Sequence, residues 1–410
     1  MTNKLYLLTI LLSLLLSSCG SNNKSKSNTP IQLQEANQLF TQIEDANKSF
    51  KLQEKEFVHT LFLSEYLWSD QVASNIDYSE FSTPNSLLKE LRVTPPDKWS
   101  FSITAQAYEN FANQKTEGFG FGYTAEFIIF LIRIDAPAYG KLLRGDKILE
   151  INGEPASRSN LIKAKNTIGI PTRFTVLRES TEVQIDVTPQ AYTFKVSLGK
   201  IITQNSKKIG YLRYDSFTGS SVTEFEKEFT KFKNENIDEL VIDLRYNSGG
   251  SIAVASTLLE NITNAYPGQR QGYLDWNSKY KHKNENFYFS TETEPNDLNM
   301  KRVFFLVTKS SASASELVIS SLKPYLGNAN IITIGTNTHG KNVGMRGRSY
   351  NNNYYFIINF FVKNNIGETT SFDGIPATCP ATDDITHAMG DTNETMLSTA
   401  LYYIENDRCL

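Results

Sequence analysis

The sequence contains few of the residues that bind metals or form disulfide bonds. Its 410 residues include three cysteines and four histidines, and the histidines are scattered singly at His59, His282, His339 and His387. Structural and catalytic zinc sites need several Cys, His or carboxylate ligands at short, regular spacings. We therefore predict no metal site, and nothing in the sequence indicates a cofactor.

A large excess of charge of one sign is also missing. The chain carries 41 basic and 44 acidic side chains, a formal net charge of -3. Nucleic-acid-binding proteins normally present a strongly basic face, so we expect no nucleic-acid partner. With 40% hydrophobic and 21% charged residues, the composition is that of a folded protein, and the length predicts two or three domains.

The sequence has no early hydrophobic run long enough for a transmembrane helix. The apolar run from Leu5 to Leu16 follows Lys4 and has about 12 residues, whereas roughly 20 are needed to cross a bilayer. A short apolar run behind a basic residue is typical of a secretory signal. We therefore predict a signal peptide at residues 1–18.

The end of this signal resembles the lipobox of bacterial lipoproteins. Leu16, Ser17 and Ser18 precede Cys19, and the resemblance implies that Cys19 becomes the lipidated first residue after cleavage. Residues 19–30 are small and polar, as expected of a flexible tether. The expected product is an exported, membrane-anchored lipoprotein that faces the periplasm. The alternative is a simple secretory signal with an incidental cysteine.

Export also bears on the other two cysteines, Cys379 and Cys409. An even number of remaining cysteines in an oxidising compartment permits one disulfide bond. That bond would tie the loop at Cys379 to the end of the chain. The alternative is a pair of free thiols.

Hydrophobic periodicity divides the rest of the chain into three regions. Residues 31–107 follow helical spacing and predict a helical N-terminal domain, in which Trp68 and Trp99 belong to an aromatic stripe that we interpret as core. Residues 108–192 contain short β-like runs between glycines. Residues 193–410 alternate strands and helices. We predict a multidomain α/β protein whose core has a partly parallel sheet.

Two stretches of the β-rich region together resemble a PDZ domain. They are Gly-Phe-Gly-Phe-Gly at residues 118–122 and a later segment, residues 135–153, that contains Arg-Gly-Asp-Lys-Ile-Leu-Glu-Ile-Asn-Gly. The resemblance implies that backbone amides at Gly118, Phe119, Gly120 and Phe121 bind the terminal carboxylate of a peptide. The two phenylalanines suggest an apolar pocket for its last residue. An ordinary glycine-rich strand entry is the alternative.

Three motifs in the last region resemble those of the C-terminal processing, or tail-specific, serine peptidases. Residues 243–250 read Asp-Leu-Arg-Tyr-Asn-Ser-Gly-Gly, residues 311–316 read Ser-Ala-Ser-Ala-Ser-Glu, and residues 339–344 read His-Gly-Lys-Asn-Val-Gly. Their order behind a PDZ-like region makes the set specific. The resemblance covers roughly residues 108–376.

The resemblance implies a Ser-Lys dyad, with Ser313 as nucleophile and Lys341 as general base. A lysine can accept the serine proton only when its amine is neutral, which requires burial to lower its pKa. Backbone amides of Gly249, Gly250 and Ala314 would stabilise the oxyanion. The implied substrates are unfolded or tagged polypeptides recognised through their C-terminus.

One departure from the family pattern leaves a second interpretation open. Many members have a glutamine four residues after the lysine, and this chain has Met345, which cannot usefully hydrogen-bond an amine. The alternative function is a catalytically silent peptide-binding lipoprotein with a PDZ-like domain. Two further alternatives are that the serines only cap a helix and that His339 is the base.

Overall fold

A computed structural model describes residues 50–292, 294 and 296–410. The predicted signal peptide, Cys19 and the tether lie outside the described residues. No helix in the described part of the chain has the length and apolar character needed to cross a membrane.

The structure contains helices in all three predicted regions. They are α1 Leu52–Ser64, α2 Pro84–Leu91, α3 Ala105–Ala112, α4 Arg158–Lys165, α5 Ser221–Glu235, α6 Ile252–Ile262, α7 Ala314–Leu326 and α8 Thr395–Asn406, with 3-10 turns at Ser69–Gln71, Tyr78–Glu80, Ser278–Lys283 and Asn328–Asn330. The sequence signal for α2 is confirmed in detail. The Thr83 hydroxyl accepts a hydrogen bond from the Ser86 N–H at 3.1 Å, and Pro84 occupies the first turn.

The strands belong to a central sheet, a second large sheet and small sheets of the PDZ-like region. They are β1 Phe101–Thr104, β2 Lys115–Gly118, β3 Phe121–Tyr123, β4 Ile129–Ile132, β5 Lys147–Ile151, β6 Glu154–Pro155, β7 Thr172–Arg178, β8 Thr181–Val187, β9 Gln190–Thr193, β10 Ser197–Gln204, β11 Lys207–Tyr214, β12 Glu239–Asp243, β13 Arg270–Trp276, β14 Glu285–Tyr288, β15 Val303–Val307, β16 Ile331–Gly335, β17 Val343–Tyr350, β18 Asn353–Asn364 and β19 Cys379–Pro380.

The central sheet has the order β10-β11-β12-β15-β16-β19 and is parallel except for the β10–β11 pair. Alternate side chains of its strands point to opposite faces. Leu240 and Ile242 pack with α5, α6 and α7, whereas Val241 packs with α8. The predicted α/β class with a partly parallel sheet is confirmed. The motifs at residues 243–250, 311–316 and 339–344 follow the carboxyl ends of β12, β15 and β16.

The N-terminal helices share a hydrophobic core with the second large sheet. Val58 and Phe62 of α1 and Leu87 of α2 lie in the same buried cluster as Tyr355 and Ile357 of β18. Strand β1 pairs directly with β18. The helical N-terminal region predicted from the sequence is present, and its helices pack on strands that the prediction assigned to the peptidase core.

The PDZ-like region has a core of its own. Strands β5 to β8 form one sheet, β3–β4 and β2–β9 form two small ones, and Phe174, Val176 and Ile148 lie at the centre of the buried cluster. At the other end of the chain, a disulfide bond joins Cys379 to Cys409, whose Cα atoms are 5.4 Å apart.

Candidate active site

Ser313 is the last residue of the segment that joins β15 to α7, at the carboxyl ends of the parallel strands of the central sheet. It is 8% exposed. Its backbone has φ 58°, a left-handed conformation that is uncommon for a residue with a side chain and that recurs at functional turns. The residue immediately precedes the N-terminus of α7, where the helix dipole favours developing negative charge.

Lys341 lies on the loop between β16 and β17, which we call the base loop (residues 336–342). Its side chain is almost completely buried, with 1% exposure. Among the described residues, its Nζ has no hydrogen-bond partner. Burial lowers the pKa of Lys341 to about 7, while the charges of Asp97 and Glu316 act in the opposite direction. Part of the Lys341 population is therefore a neutral amine near neutral pH.

The carboxylate of Glu316 connects the Ser313 turn to the base loop. One oxygen, Oε2, accepts hydrogen bonds from the backbone N–H of Ser313 at 2.8 Å and of Lys341 at 2.9 Å. The other, Oε1, accepts from the Gly340 N–H at 2.7 Å and from the Thr338 hydroxyl at 2.5 Å. Two segments from different parts of the chain are thus held by one buried side chain.

Glu316 is the last residue of the motif at residues 311–316, and the sequence analysis assigned it no role. A signal was present, because Ser313 and Glu316 have the Ser-x-x-Glu spacing of a helix capping box. The spacing accounts for the bond to the Ser313 N–H. It does not predict the bonds to the base loop, which depend on how β15 and β16 lie side by side.

The glycine turn that follows β12 lies against Ser313. A Cβ atom placed on Gly249 would be 2.9 Å from the Ala312 carbonyl oxygen and 3.0 Å from Ser313 Cβ, and φ at this residue is 105°. The Gly249 N–H donates to Asn247 Oδ1 at 2.8 Å. In this structure it is therefore not free to donate to an oxyanion, contrary to the sequence-based prediction. Gly249 contributes space for the close approach.

The other two predicted oxyanion donors lie next to the same turn. Ala314 is the first residue of α7, and the first N–H groups of a helix have no partner within the helix. The Cβ position of Gly249 is 3.1 Å from the Ala314 nitrogen. Gly250 forms a parallel bridge with Phe217, and a Cβ atom there would lie 2.3 Å from the Phe217 carbonyl oxygen.

Asp243 and Arg245 form the buried support of this turn. The Arg245 guanidinium is fully buried and binds three carboxylates: Asp243 Oδ1 at 3.0 Å, Asp383 Oδ1 at 2.9 Å and Glu394 Oε2 at 2.8 Å. Such a network can satisfy buried charges because each one is paired and hydrogen-bonded. It fixes the strand end from which the glycine turn begins.

His339 does not occupy the position of a base for Ser313. Its Nε2 accepts a hydrogen bond from the Trp99 indole N–H at 3.2 Å, and its Nδ1 lies 3.1 Å from the Lys309 carbonyl oxygen. The only tautomer that fits both contacts has the proton on Nδ1. Burial lowers the pKa of His339 to about 4, so the neutral ring is the relevant form. Both nitrogens are engaged in these contacts.

Met345 is fully buried in the cluster that the N-terminal helices share with β17 and β18. It lies opposite Ile358 in the β17–β18 ladder. The position that carries an orienting glutamine in many family members is therefore part of the hydrophobic core here. Lys341 receives no hydrogen bond from that position.

The predicted peptide-binding loop has the expected backbone and an unexpected side-chain arrangement. Gly118 and Gly120 have φ values of 115° and 81°. The rings of Phe119 and Phe121, however, are buried and contact Phe174, with centroids 5.0 and 5.8 Å from it. These rings fill the core of the PDZ-like region. The prediction that they provide an apolar pocket for the last residue of a peptide stays a prediction.

No metal centre accompanies this site. In the portion of the chain with described coordinates, no group of three or more His, Cys, Asp or Glu side chains is placed to hold a metal ion.

Comparison with known proteins gives two family matches. Residues 208–375 match Peptidase family S41, and residues 53–101 match the Peptidase S41 N-terminal domain. The first range contains Ser313 and Lys341, and the second contains Trp99. Together the two ranges account for more than half of the chain.

Curated relatives of the chain are also proteases. The carboxyl-terminal-processing protease of Picosynechococcus sp. is 27% identical over 206 residues, which cover 48% of this chain and 46% of the relative. The tail-specific protease of Haemophilus influenzae is 23% identical over 345 residues, 75% of this chain and 47% of the relative. The chain thus spans less than half the length of each.

A solved structure shares the fold. A crystal structure from Bacteroides fragilis, assigned to the S41 proteases, superposes with a TM-score of 0.74 at 23% identity and covers 86% of this chain and 97% of that one. The matched ranges, the relatives and the position of the Ser313 and Lys341 motifs at one edge of the central sheet agree. The chain belongs to peptidase family S41.

Proposed function

We propose that this protein is a serine endopeptidase that cleaves proteins or peptides recognised by their C-terminal tail, with Ser313 as nucleophile and Lys341 as general base. The observation that carries the proposal is the state of Lys341. Its amine is buried, has no hydrogen-bond partner among the described residues and has a pKa of about 7. The same carboxylate holds the backbone of Lys341 and of Ser313.

The first half of the reaction forms an acyl-enzyme. The Ser313 oxygen attacks the carbonyl carbon of the scissile peptide bond while the neutral Lys341 amine takes the hydroxyl proton. The carbonyl oxygen becomes an oxyanion, and we assign the Ala314 N–H at the start of α7 to stabilise it. The Lys341 ammonium then returns its proton to the leaving amine as the C–N bond breaks.

The second half releases the acyl group. Water attacks the ester carbonyl and gives a proton to the Lys341 amine, and the second tetrahedral intermediate collapses with loss of the Ser313 oxygen. That oxygen regains its proton from the ammonium. The dyad ends in its starting state, and no group other than water is consumed.

Tail recognition is supported by the edge of β3. This strand directly follows the glycine loop at residues 118–120, and among the described strands it pairs only with β4. A peptide can add to such an edge as a further strand, with its carboxylate at the glycine loop. The PDZ-like region is fixed to the core near the site, because Arg144 donates to the Tyr246 hydroxyl at 2.8 Å.

We also propose that the protein is anchored to a bacterial membrane through lipid on Cys19. The proposal rests on the lipobox-like residues 16–19 and on the stability of multiple acyl anchors. Mass analysis of the N-terminal peptide from membranes tests it, because an unmodified peptide that begins elsewhere contradicts the anchor.

The test of the peptidase proposal compares the full-length chain with Ser313→Ala and Lys341→Ala. The substrate is an unfolded protein with an apolar C-terminal tail, and a copy with an amidated C-terminus tests tail recognition. We expect fragments only from the unchanged chain and fewer from the amidated substrate. Both variants should still bind the tail.

Matched controls exist on α7. Ser320 is half-buried and its hydroxyl donates to the Leu317 carbonyl, and burial also lowers the pKa of half-buried Lys323. Ser320→Ala and Lys323→Met should cleave like the unchanged chain. Equal turnover by Ser313→Ala refutes the nucleophile. Tail binding without cleavage by any of the proteins favours the silent peptide-binding function, which Met345 supports.

A further inference from the structure

A buried carboxylate in the N-terminal region organises the segment between α2 and β1. Asp97 is fully buried. Its Oδ1 accepts hydrogen bonds from the Trp99 N–H at 2.8 Å and the Ser100 N–H at 3.0 Å, and its Oδ2 accepts from the Tyr66 hydroxyl at 2.9 Å and the Ser100 hydroxyl at 2.6 Å. Four donors on one carboxylate define the path of the chain at Trp99.

Trp99 makes two contacts with the base loop. Its indole N–H binds His339, two residues before Lys341, and its ring centroid lies 5.6 Å from Lys341 Nζ. On another side the ring stacks on Phe372, with centroids 6.0 Å apart and planes 16° apart. Trp99 is 3% exposed. It therefore forms part of the wall that separates the amine from solvent.

These contacts supply what the base lacks. Among the residues that the structure describes, none hydrogen-bonds the Lys341 amine, and Met345 can offer no such bond. The face of an indole ring attracts an ammonium group within about 6 Å of its centroid. Trp99 can therefore hold the protonated form of Lys341, which arises in each half of the proposed reaction, without donating or accepting a proton.

We propose that Trp99 and Asp97 are positioning residues for Lys341, so that the N-terminal region completes the active site. Trp99 acts by contact with the amine and with His339, and Asp97 acts by fixing Trp99 and by its charge. The inference rests on the proposed role of Lys341 as base. It assigns to these two residues the orienting task that a glutamine performs in many family members.

The charges around Lys341 predict the direction in which its pKa should change when one of them is removed. The groups that act on it are Asp97 and Glu316, which raise its pKa against the larger lowering effect of burial. The neutral ring of His339, with a pKa of about 4, also lies nearby, and the charges of Lys98 and Lys309 act on that ring. Lys98 Nζ lies 5.1 Å from the Trp99 ring centroid. Removal of the Asp97 charge should therefore lower the pKa of Lys341 below about 7.

The experiment uses the full-length chain and the variants Trp99→Leu, Trp99→Phe and Asp97→Asn. The control is Trp68→Leu, because half-buried Trp68 belongs to the same core and its ring contacts are with Tyr66 and Phe361. The readouts are kcat and KM against pH, thermal unfolding, and the pKa of Lys341 from 13Cε NMR of labelled lysine, assigned with Lys341→Met.

We expect Trp99→Leu to lower kcat by about ten- to a hundredfold with little change in KM, the size of loss that misplacement of a reacting group produces. Trp99→Phe keeps an aromatic face and should recover much of kcat. Trp68→Leu should lose stability and retain kcat. Asp97→Asn should shift the acid limb of kcat/KM and the NMR pKa of Lys341 to lower pH together.

The inference is overturned if Trp99→Leu loses no more kcat than Trp68→Leu, or if Asp97→Asn leaves the pKa of Lys341 unchanged. If Asp97→Asn does not fold, the comparison of Trp99→Leu with Trp99→Phe decides, and equal kcat in the two rejects the role of the ring. Failure of the proposed function is distinct, because Ser313→Ala would then cleave like the unchanged chain.

Discussion

At the scale of single residues, the chemistry depends on the environment of one amine. The side chain of Lys341 is buried beside the indole ring of Trp99, and burial lowers its pKa to about 7. A base whose pKa lies near the working pH combines a useful neutral fraction with adequate basicity. With Lys341 as the proposed base, the site would obtain from a lysine what other serine peptidases obtain from a histidine.

This pKa predicts the pH dependence of cleavage. Only the neutral amine accepts the Ser313 proton, so kcat/KM should rise with pH through about 7 and level off above it. Steady-state rates from pH 5 to about 9 measure the limb. Lys323→Met should leave the limb in place, whereas a limb near the pKa of His339, about 4, would point to the histidine.

The sequence identifies some residues of the site and cannot identify others. Ser313 and Lys341 lie in short motifs, so their types and order carry the resemblance. Trp99 meets His339 across 240 positions of the chain. Its aromatic spacing predicts a core residue, which it is, but no local pattern shows that the same ring also faces the base.

At the scale of elements, helix α7 and the base loop form one mechanical unit through Glu316. The helix starts directly after Ser313, and the carboxylate on its first turn binds both the Ser313 N–H and the loop that carries Lys341. Burial raises the pKa of Glu316, and its donors oppose this effect. The four donors are all satisfied only when both oxygens of the Glu316 carboxylate accept hydrogen bonds.

Glu316→Gln should therefore impair activity and stability together. The amide NH2 places a donor against the Gly340 N–H in one orientation and against the Ser313 and Lys341 N–H groups in the other, so at least one of the four bonds fails, at about 1–3 kcal/mol of unfolding free energy. We expect kcat to fall by roughly a hundredfold as the base loop shifts. Denaturant unfolding and steady-state kinetics measure the two effects, and an unchanged kcat contradicts the coupling.

Element boundaries were predictable where local periodicity is strong. Helical spacing over residues 314–325 predicts a helix, which is observed at Ala314–Leu326, and the apolar run that begins at Val303 predicts a strand, which is observed at Val303–Val307. Residues 265–300 carry no such pattern, because β13 obtains its place by pairing with β18, about 90 residues later in the chain, and β14 obtains its place by pairing with β13. Pairing partners at that distance leave no local signal.

At the scale of the whole molecule, the described regions are joined by side chains that bridge distant segments. Arg144 of the PDZ-like region forms an ion pair with Asp383, which also binds Arg245 beneath the glycine turn. The N-terminal helices share their core with β17 and β18. The proposed tail-binding region, the support of the glycine turn and the proposed base are therefore parts of one packed structure.

The disulfide bond contributes at this scale. It closes a loop of 30 positions between Cys379 and Cys409, which should stabilise the fold by about 3 kcal/mol in the chain-entropy description. Cys409→Ser should unfold at lower denaturant concentration, and the unchanged chain under reducing conditions should behave in the same way. Equal stability with and without reductant would show that the bond contributes nothing.

The buried amine has a consequence for how this chain can change over time. The pKa of Lys341 is about 7 in the folded state and about 10.4 in an unfolded chain. The unfolded state therefore binds more protons between these values, and Lys341 lowers stability most at and below neutral pH. A lineage that no longer needed cleavage would gain stability from an apolar residue at this position. Stability alone therefore does not explain why this position has a lysine and not an apolar residue.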